Sequence, residues 1–133
     1  MKELIYIATG GAIGALTRYF VSGIAYRYIG INFPWGTLSV NLIGSFLIGF
    51  FYQFFERIVI LPEIKTLIFI GFLGAFTTFS TYAFETLSFL KEGEIRIALY
   101  NFLANNIFSI LFVFIGMVVS KYLIIIIEKG VVR

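Results

Sequence analysis

Four long apolar runs divide this chain, at roughly residues 4–29, 35–55, 64–91 and 96–127. Short polar joints separate them: Gly30-Ile31-Asn32-Phe33-Pro34, then Glu56 to Glu63 with its Pro62, then Glu92-Gly93-Glu94. At a rise of ~1.5 Å per residue, each run is long enough to cross the ~30 Å apolar core of a bilayer as a helix. In lipid the backbone satisfies its polar groups only within a helix or a closed barrel, and runs this long and continuous fit helices rather than alternating strands. The pattern therefore predicts an all-α membrane protein, one domain of four transmembrane helices. The fourth run exceeds the thickness of the core and must tilt or emerge at its Lys121 end.

The third run is interrupted by its own chemistry. Between Lys65 and Glu85 there is no charge, yet Gly74-Ala75-Phe76-Thr77-Thr78-Phe79-Ser80-Thr81-Tyr82-Ala83 holds five hydroxyls and three aromatic rings. Gly71, Gly74 and the β-branched pair Thr77-Thr78 weaken helix continuity, and Ser/Thr hydroxyls can satisfy backbone groups that a break releases. A break near residues 74–78 is predicted. It would leave free carbonyls on the first half, suited to a cation, and free N–H groups on the second, suited to an anion.

Polar residues elsewhere recur at helical spacing. In the second run Thr37, Asn41 and Ser45 fall every four residues, and in the fourth Asn101, Asn105 and Ser109 do the same, with Asn106 alongside. Asn41 offers two N–H donors and an acceptor, which suit either an ion stripped of water or a bond between helices. Phe79 and Tyr82 lie three apart on one face; their positive ring edges suit an anion, and ordinary packing is the alternative. Thr81, Glu85 and Ser88 share another face. Gly10 and Gly14 have the small-xxx-small spacing that lets helices approach closely. Arg18, well inside the first run, either anchors at the interface or lines an aqueous vestibule that attracts anions.

Composition narrows the possibilities. Hydrophobic residues make up 60% and charged residues 13%, and the mean hydropathy is +1.00, leaving too little polar surface for a water-soluble domain. Neither histidine nor cysteine occurs, which removes disulfides, thiol chemistry, imidazole acid–base work and soft metal sites. The net charge of +3 comes from basic residues near the ends of the runs, as expected for headgroup anchoring rather than nucleic-acid binding. Lys2, Arg57, Lys65, Lys121, Lys129 and Arg133 share the side of both termini, against Arg27, Lys91 and Arg96 opposite. That bias favours termini in the cytoplasm, while Arg18 blurs the count and leaves insertion in both orientations open. The first run continues without a polar break resembling a cleavage site, so a retained N-terminus is expected.

Taken together, Gly10-Gly11-Ala12-Ile13-Gly14-Ala15-Leu16-Thr17-Arg18-Tyr19, Gly36-Thr37-Leu38-Ser39-Val40-Asn41-Leu42-Ile43-Gly44-Ser45-Phe46 and Gly74 to Tyr82 followed by Glu85 resemble the Fluc (CrcB) family of fluoride channels. The resemblance implies an antiparallel, dual-topology homodimer in the inner membrane, exporting fluoride passively and so lowering its toxicity. It also implies a structural sodium ion at the dimer interface, held by the backbone carbonyls of Gly74 and Thr77. The fluoride path would use Asn41, Phe79, Ser80, Thr81, Tyr82, Asn105 and Ser109, with Arg18, Thr37 and Glu85 in a vestibule or polar track. Three positions depart from the family pattern: Tyr82 stands where phenylalanine is usual, and Asn101 and Asn105 where tyrosine and serine are expected.

Two other functions compete. A small multidrug exporter coupled to cations would need a carboxylate within the membrane, and after Glu3 the first run has none, leaving Glu85 as the candidate. The basic bias also admits a fixed orientation, as one subunit of a paired heterodimeric fluoride channel. No nucleotide motif or catalytic dyad points to an enzyme.

Overall fold

The computed structural model describes residues 2–131; Arg133, counted above with the terminal side, lies outside them. Among the described residues every regular element is helical. The first two spans are single helices, α1 (Lys2–Ile29) and α2 (Trp35–Phe55). The third is composite: α3 (Pro62–Lys65), a π-helical stretch Thr66–Leu73, α4 (Gly74–Phe76) and, after a gap, α5 (Phe79–Lys91). In the fourth, α6 (Ile95–Leu103) passes through a π-helical stretch Ala104–Phe108 into α7 (Ser109–Val131). Four helices are thus long and apolar enough to cross a membrane.

The spans begin and end within a few residues of the sequence pattern, and local chemistry explains the differences. The third starts at Pro62 rather than Ile64, because proline lacks an N–H and its fixed φ suits a first helical turn. After Lys91, Gly93 adopts φ 81°, its N–H donating to the Leu90 carbonyl and that of Glu94 to the Phe89 carbonyl. This left-handed turn satisfies the last carbonyls of α5 and reverses the chain directly into α6.

Three glycine contacts draw the spans together. A Cβ on Gly14 would strike the Phe72 carbonyl oxygen, and one on Gly10 the Leu67 carbonyl oxygen, so α1 lies backbone to backbone on the first half of the third span. Gly49 and Gly116 make the corresponding approach between α2 and α7. Gly44 faces the break itself, where a Cβ would run into Thr77 Cγ2. Without a hydrophobic driving force in lipid, such close approach supplies the packing that holds helices together.

The bundle's small core sits around the interruption. Val40, Phe76, Ala98 and Asn101 are 0%, 1%, 1% and 0% exposed, so an amide is buried as deeply as the apolar residues beside it. Much of the remaining apolar surface, including Phe79 at 76%, faces outward.

Substituting Gly44 by Ala tests this packing. Thr77 is β-branched and its hydroxyl is tied to the Leu73 carbonyl at 3.0 Å, so it cannot swing aside freely. Overpacking of this kind costs about 1–3 kcal/mol. Thermal or denaturant unfolding of the purified variant in detergent should show that loss.

Candidate functional site

Helix α4 stops because its last residues find other partners. Thr77 and Thr78 are extended, with ψ 160° and 112°. In an unbroken helix the Thr78 N–H would bond the Gly74 carbonyl; here it donates to Asn41 Oδ1 at 2.8 Å. The Thr81 N–H would bond the Thr77 carbonyl; it donates instead to Thr78 Oγ1 at 3.2 Å, making Thr78 the N-cap of α5. Both N–H groups are satisfied by side chains, and the carbonyls of Gly74 and Thr77, their partners in an unbroken helix, are among those released. These are the carbonyls expected to hold a cation. Gly74 itself is exposed.

Asn41 clasps the Thr78 peptide from both sides, since its Nδ2 also donates to the Thr78 carbonyl at 3.1 Å. The second Nδ2 hydrogen goes to Asn105 Oδ1 at 2.9 Å. Asn105 Nδ2 then donates to Asn101 Oδ1 and to the Asn101 carbonyl, at 2.8 and 3.1 Å. Asn101 Nδ2 donates to Thr86 Oγ1 at 2.9 Å, and Thr86 donates to the Tyr82 carbonyl at 2.8 Å. An N–H can only donate, so the Thr78 N–H fixes the orientation of Asn41 and, through it, every later amide. The result is a one-way relay of donors from Thr78 through α2 and the fourth span back to Tyr82.

Two grooves meet at the break, with Thr78 in the wall of both. One, of about 410 Å³, is lined by Asn41, Ser45, Gly74, Thr77, Phe79, Tyr82, Asn105, Asn106 and Ser109 among others, none of them charged. The rings of Phe79 and Tyr82 meet edge to face there, their centroids 5.3 Å apart. The other, of about 650 Å³, is lined by Arg18, Tyr26, Thr37, Thr81 and Glu85 with several smaller residues. Glu85 Oε1 accepts from Thr37 Oγ1 at 2.7 Å and from the Tyr26 hydroxyl at 3.5 Å, while Oε2 is buried with no partner.

The structure thus divides the residues singled out by sequence between two spaces. Arg18, Thr37, Thr81 and Glu85 stand together in the charged groove. Asn41, Phe79, Tyr82, Asn105 and Ser109 stand in the neutral one, with Gly74 and Thr77. Ser80 is exposed and lines neither, its Oγ lying 3.4 Å from Thr78 Oγ1. The spacing of Thr37, Asn41 and Ser45 suggested one polar face, but Thr37 turns to Glu85 while Asn41 and Ser45 turn to the neutral groove. Asn101 also leaves its expected stripe and is wholly buried in the relay. Neither amide hydrogen of Asn41 is free, so its grip on Thr78 is its principal interaction here. Sequence reading passed over Thr78 and Thr86 as individual residues. A Ser/Thr-x-x signature at a helix start could have indicated Thr78 as a cap; nothing local marks Thr86.

Residues 5–117 match the family described as "CrcB-like protein, Camphor Resistance (CrcB)". A protein of Shewanella amazonensis is 49% identical over 116 residues, 87% of this chain and 94% of its own. One from Citrifermentans bemidjiense is 47% identical over 124 residues, 92% of this chain and all of its own. One from Magnetococcus marinus is 45% identical over 120 residues, 90% of this chain and 98% of its own. Each of the three is named a fluoride-specific ion channel, FluC.

Substitutions at the break should rank in a definite order of stability. Thr78→Ala removes the cap and should cost about 1 kcal/mol, which Thr78→Ser restores. Asn41→Leu strands the Thr78 N–H and carbonyl and Asn105 Oδ1, at about 1–3 kcal/mol for each buried group left unpaired. Unfolding in detergent should therefore place Asn41→Leu below Thr78→Ala and Thr78→Ser near the parent.

Proposed function

This chain belongs to the CrcB-like family, and from that premise we propose that it is a fluoride-selective channel in a cell membrane, which it crosses several times. One observation carries the reading: beside the break in a span long and apolar enough to cross a membrane, a groove without charge is lined by hydroxyls and the aromatic residues Phe79 and Tyr82. Fluoride is small and strongly hydrated, so a selective path must replace its water with several donors in a narrow space. A full positive charge there would hold the ion; hydroxyls and ring edges attract it and let it leave. Arg18 supplies the positive charge in the other groove, where it concentrates anions at the entrance, and Thr81 then leads past Thr78 toward Phe79 and Tyr82. Asn41 and Asn105 act as the wall that keeps these donors in place. Ser109 offers a further hydroxyl, and Ser80, which lies outside both grooves, joins the path only where a second copy completes it.

Export is passive in this reading. Fluoride entering a cell as neutral hydrogen fluoride ionises inside and leaves through the channel down its gradient, which limits its toxicity. We further propose that two copies insert antiparallel and meet at their breaks. The carbonyls of Gly74 and Thr77 from each copy then make a set of four oxygens, a fit for a structural sodium ion. Among the described residues no group of three His, Cys, Asp or Glu side chains could hold a metal, so carbonyls are the ligands on offer. Bound there, sodium would neutralise carbonyls facing one another across the interface.

Efflux from liposomes holding the purified protein tests the channel reading. A fluoride electrode should record rapid release, with chloride retained; equal leakage of both ions would reject selectivity. Phe79→Ile should slow fluoride release more than ten-fold while the protein keeps its assembly in detergent. Replacing sodium by a large organic cation during purification and reconstitution should abolish release, and restoring sodium should recover it.

Orientation has its own test. The chain contains no cysteine, so one introduced near Lys2 can be labelled by an impermeant thiol reagent. In cells, about half the protein should react from each side of the membrane. Labelling from one side only would favour a fixed orientation and a paired partner.

A further inference from the structure

Tyr82 carries a hydrogen that no group among the described residues takes. Its ring is only 6% exposed and lines the neutral groove. Asn106 Nδ2 donates to the phenol oxygen at 2.8 Å and to the Phe102 carbonyl at 2.7 Å. The Phe102 carbonyl can only accept, so Asn106 cannot turn its oxygen that way without setting two acceptors against each other. The amide is therefore fixed with nitrogen toward Tyr82, and the phenol oxygen is the acceptor of the pair. Its own hydrogen must turn elsewhere, and among the described residues it forms no bond.

We propose that the Tyr82 hydroxyl, oriented by Asn106, donates a hydrogen bond directly to the anion in the neutral groove. Tyr82 is then a ligand through its oxygen as well as its ring edge, and Asn106 is a positioning residue acting through it. This rests on the fluoride-channel reading and adds a specific donor to it. An O–H donor to an anion makes a short bond, roughly twice as strong as one between neutral groups. Donation from Asn106 into the same oxygen polarises the O–H and strengthens it as a donor. The four-residue step from Phe102 to Asn106 explains how the amide is held: its side chain folds back onto the preceding helical turn, at the start of the π-helical irregularity of the fourth span.

The test measures fluoride efflux from liposomes as a function of fluoride concentration. Tyr82→Phe keeps the ring and removes one oxygen, and should raise the concentration for half-maximal efflux about ten-fold. Asn106→Leu should raise it about three-fold in the parent and leave it unchanged in the Tyr82→Phe background, because it acts only through that hydroxyl. A half-maximal concentration at the parental value in Tyr82→Phe would overturn the proposal while leaving the channel reading intact. So would an Asn106→Leu shift of equal size in both backgrounds. Absence of fluoride efflux from the parent protein would overturn the channel reading and this proposal with it. Should Asn106→Leu fail to fold, Tyr82→Phe alone decides.

Discussion

The bond pair between the Asn41 carboxamide and the Thr78 peptide is the constraint on which the site depends. A break in a membrane helix exposes N–H and C=O groups where no water can reach them, and each unmet group is costly. Asn41 meets both backbone groups of one residue at once, as a neighbouring strand would, while Thr78 caps the helix that follows. The satisfaction is selective. It covers the N–H groups of Thr78 and Thr81, while the carbonyls of Gly74 and Thr77, their partners in an unbroken helix, lose those bonds.

The relay beyond Asn41 gives this arrangement its stiffness. Starting from an obligate donor, each amide is oriented by the one before, and the chain ends on Tyr82, four residues from its origin. Bonds aligned in one direction polarise one another. Because the amide hydrogens are spent within the relay, the amides shape the wall while hydroxyls and ring edges face the space beside it. The charged groove differs in kind, since Arg18 and Glu85 lie within one cavity.

Much of this architecture was legible in the chain. Four spans, their joints and the break near residues 74–78 follow from hydropathy, proline and glycine placement and the Thr77-Thr78 pair, all local signals. The pairing of Phe79 with Tyr82 follows from three-residue spacing on a helix that begins where expected. Periodicity placed residues on a common stripe but did not fix their partners. The π-helical stretches at Thr66–Leu73 and Ala104–Phe108 shift the register of everything they precede, and Asn101 and Asn105, four apart, take different roles across the second of them. Thr37 was likewise placed with Asn41 by spacing, but Glu85 on another span attracts its hydroxyl. Such choices depend on partners many residues away, and no local pattern encodes them.

The amides of the fourth span also bear on the departures from the family pattern. A serine at position 105 could accept from Asn41, but its short side chain could not also reach Asn101. An asparagine there extends the reach of Asn41 by one further residue and ties the break to the fully buried Asn101. At position 82 the phenol oxygen needs a donor at this depth, and Asn106 provides it. The departures at positions 82 and 101 find separate partners across the third and fourth spans: Thr86, on the helix of Tyr82, accepts from Asn101, while Tyr82 itself accepts from Asn106. Without Asn106 the phenol oxygen of Tyr82 would lose its donor, and without Thr86 and Asn105 the buried amide of Asn101 would lose its partners.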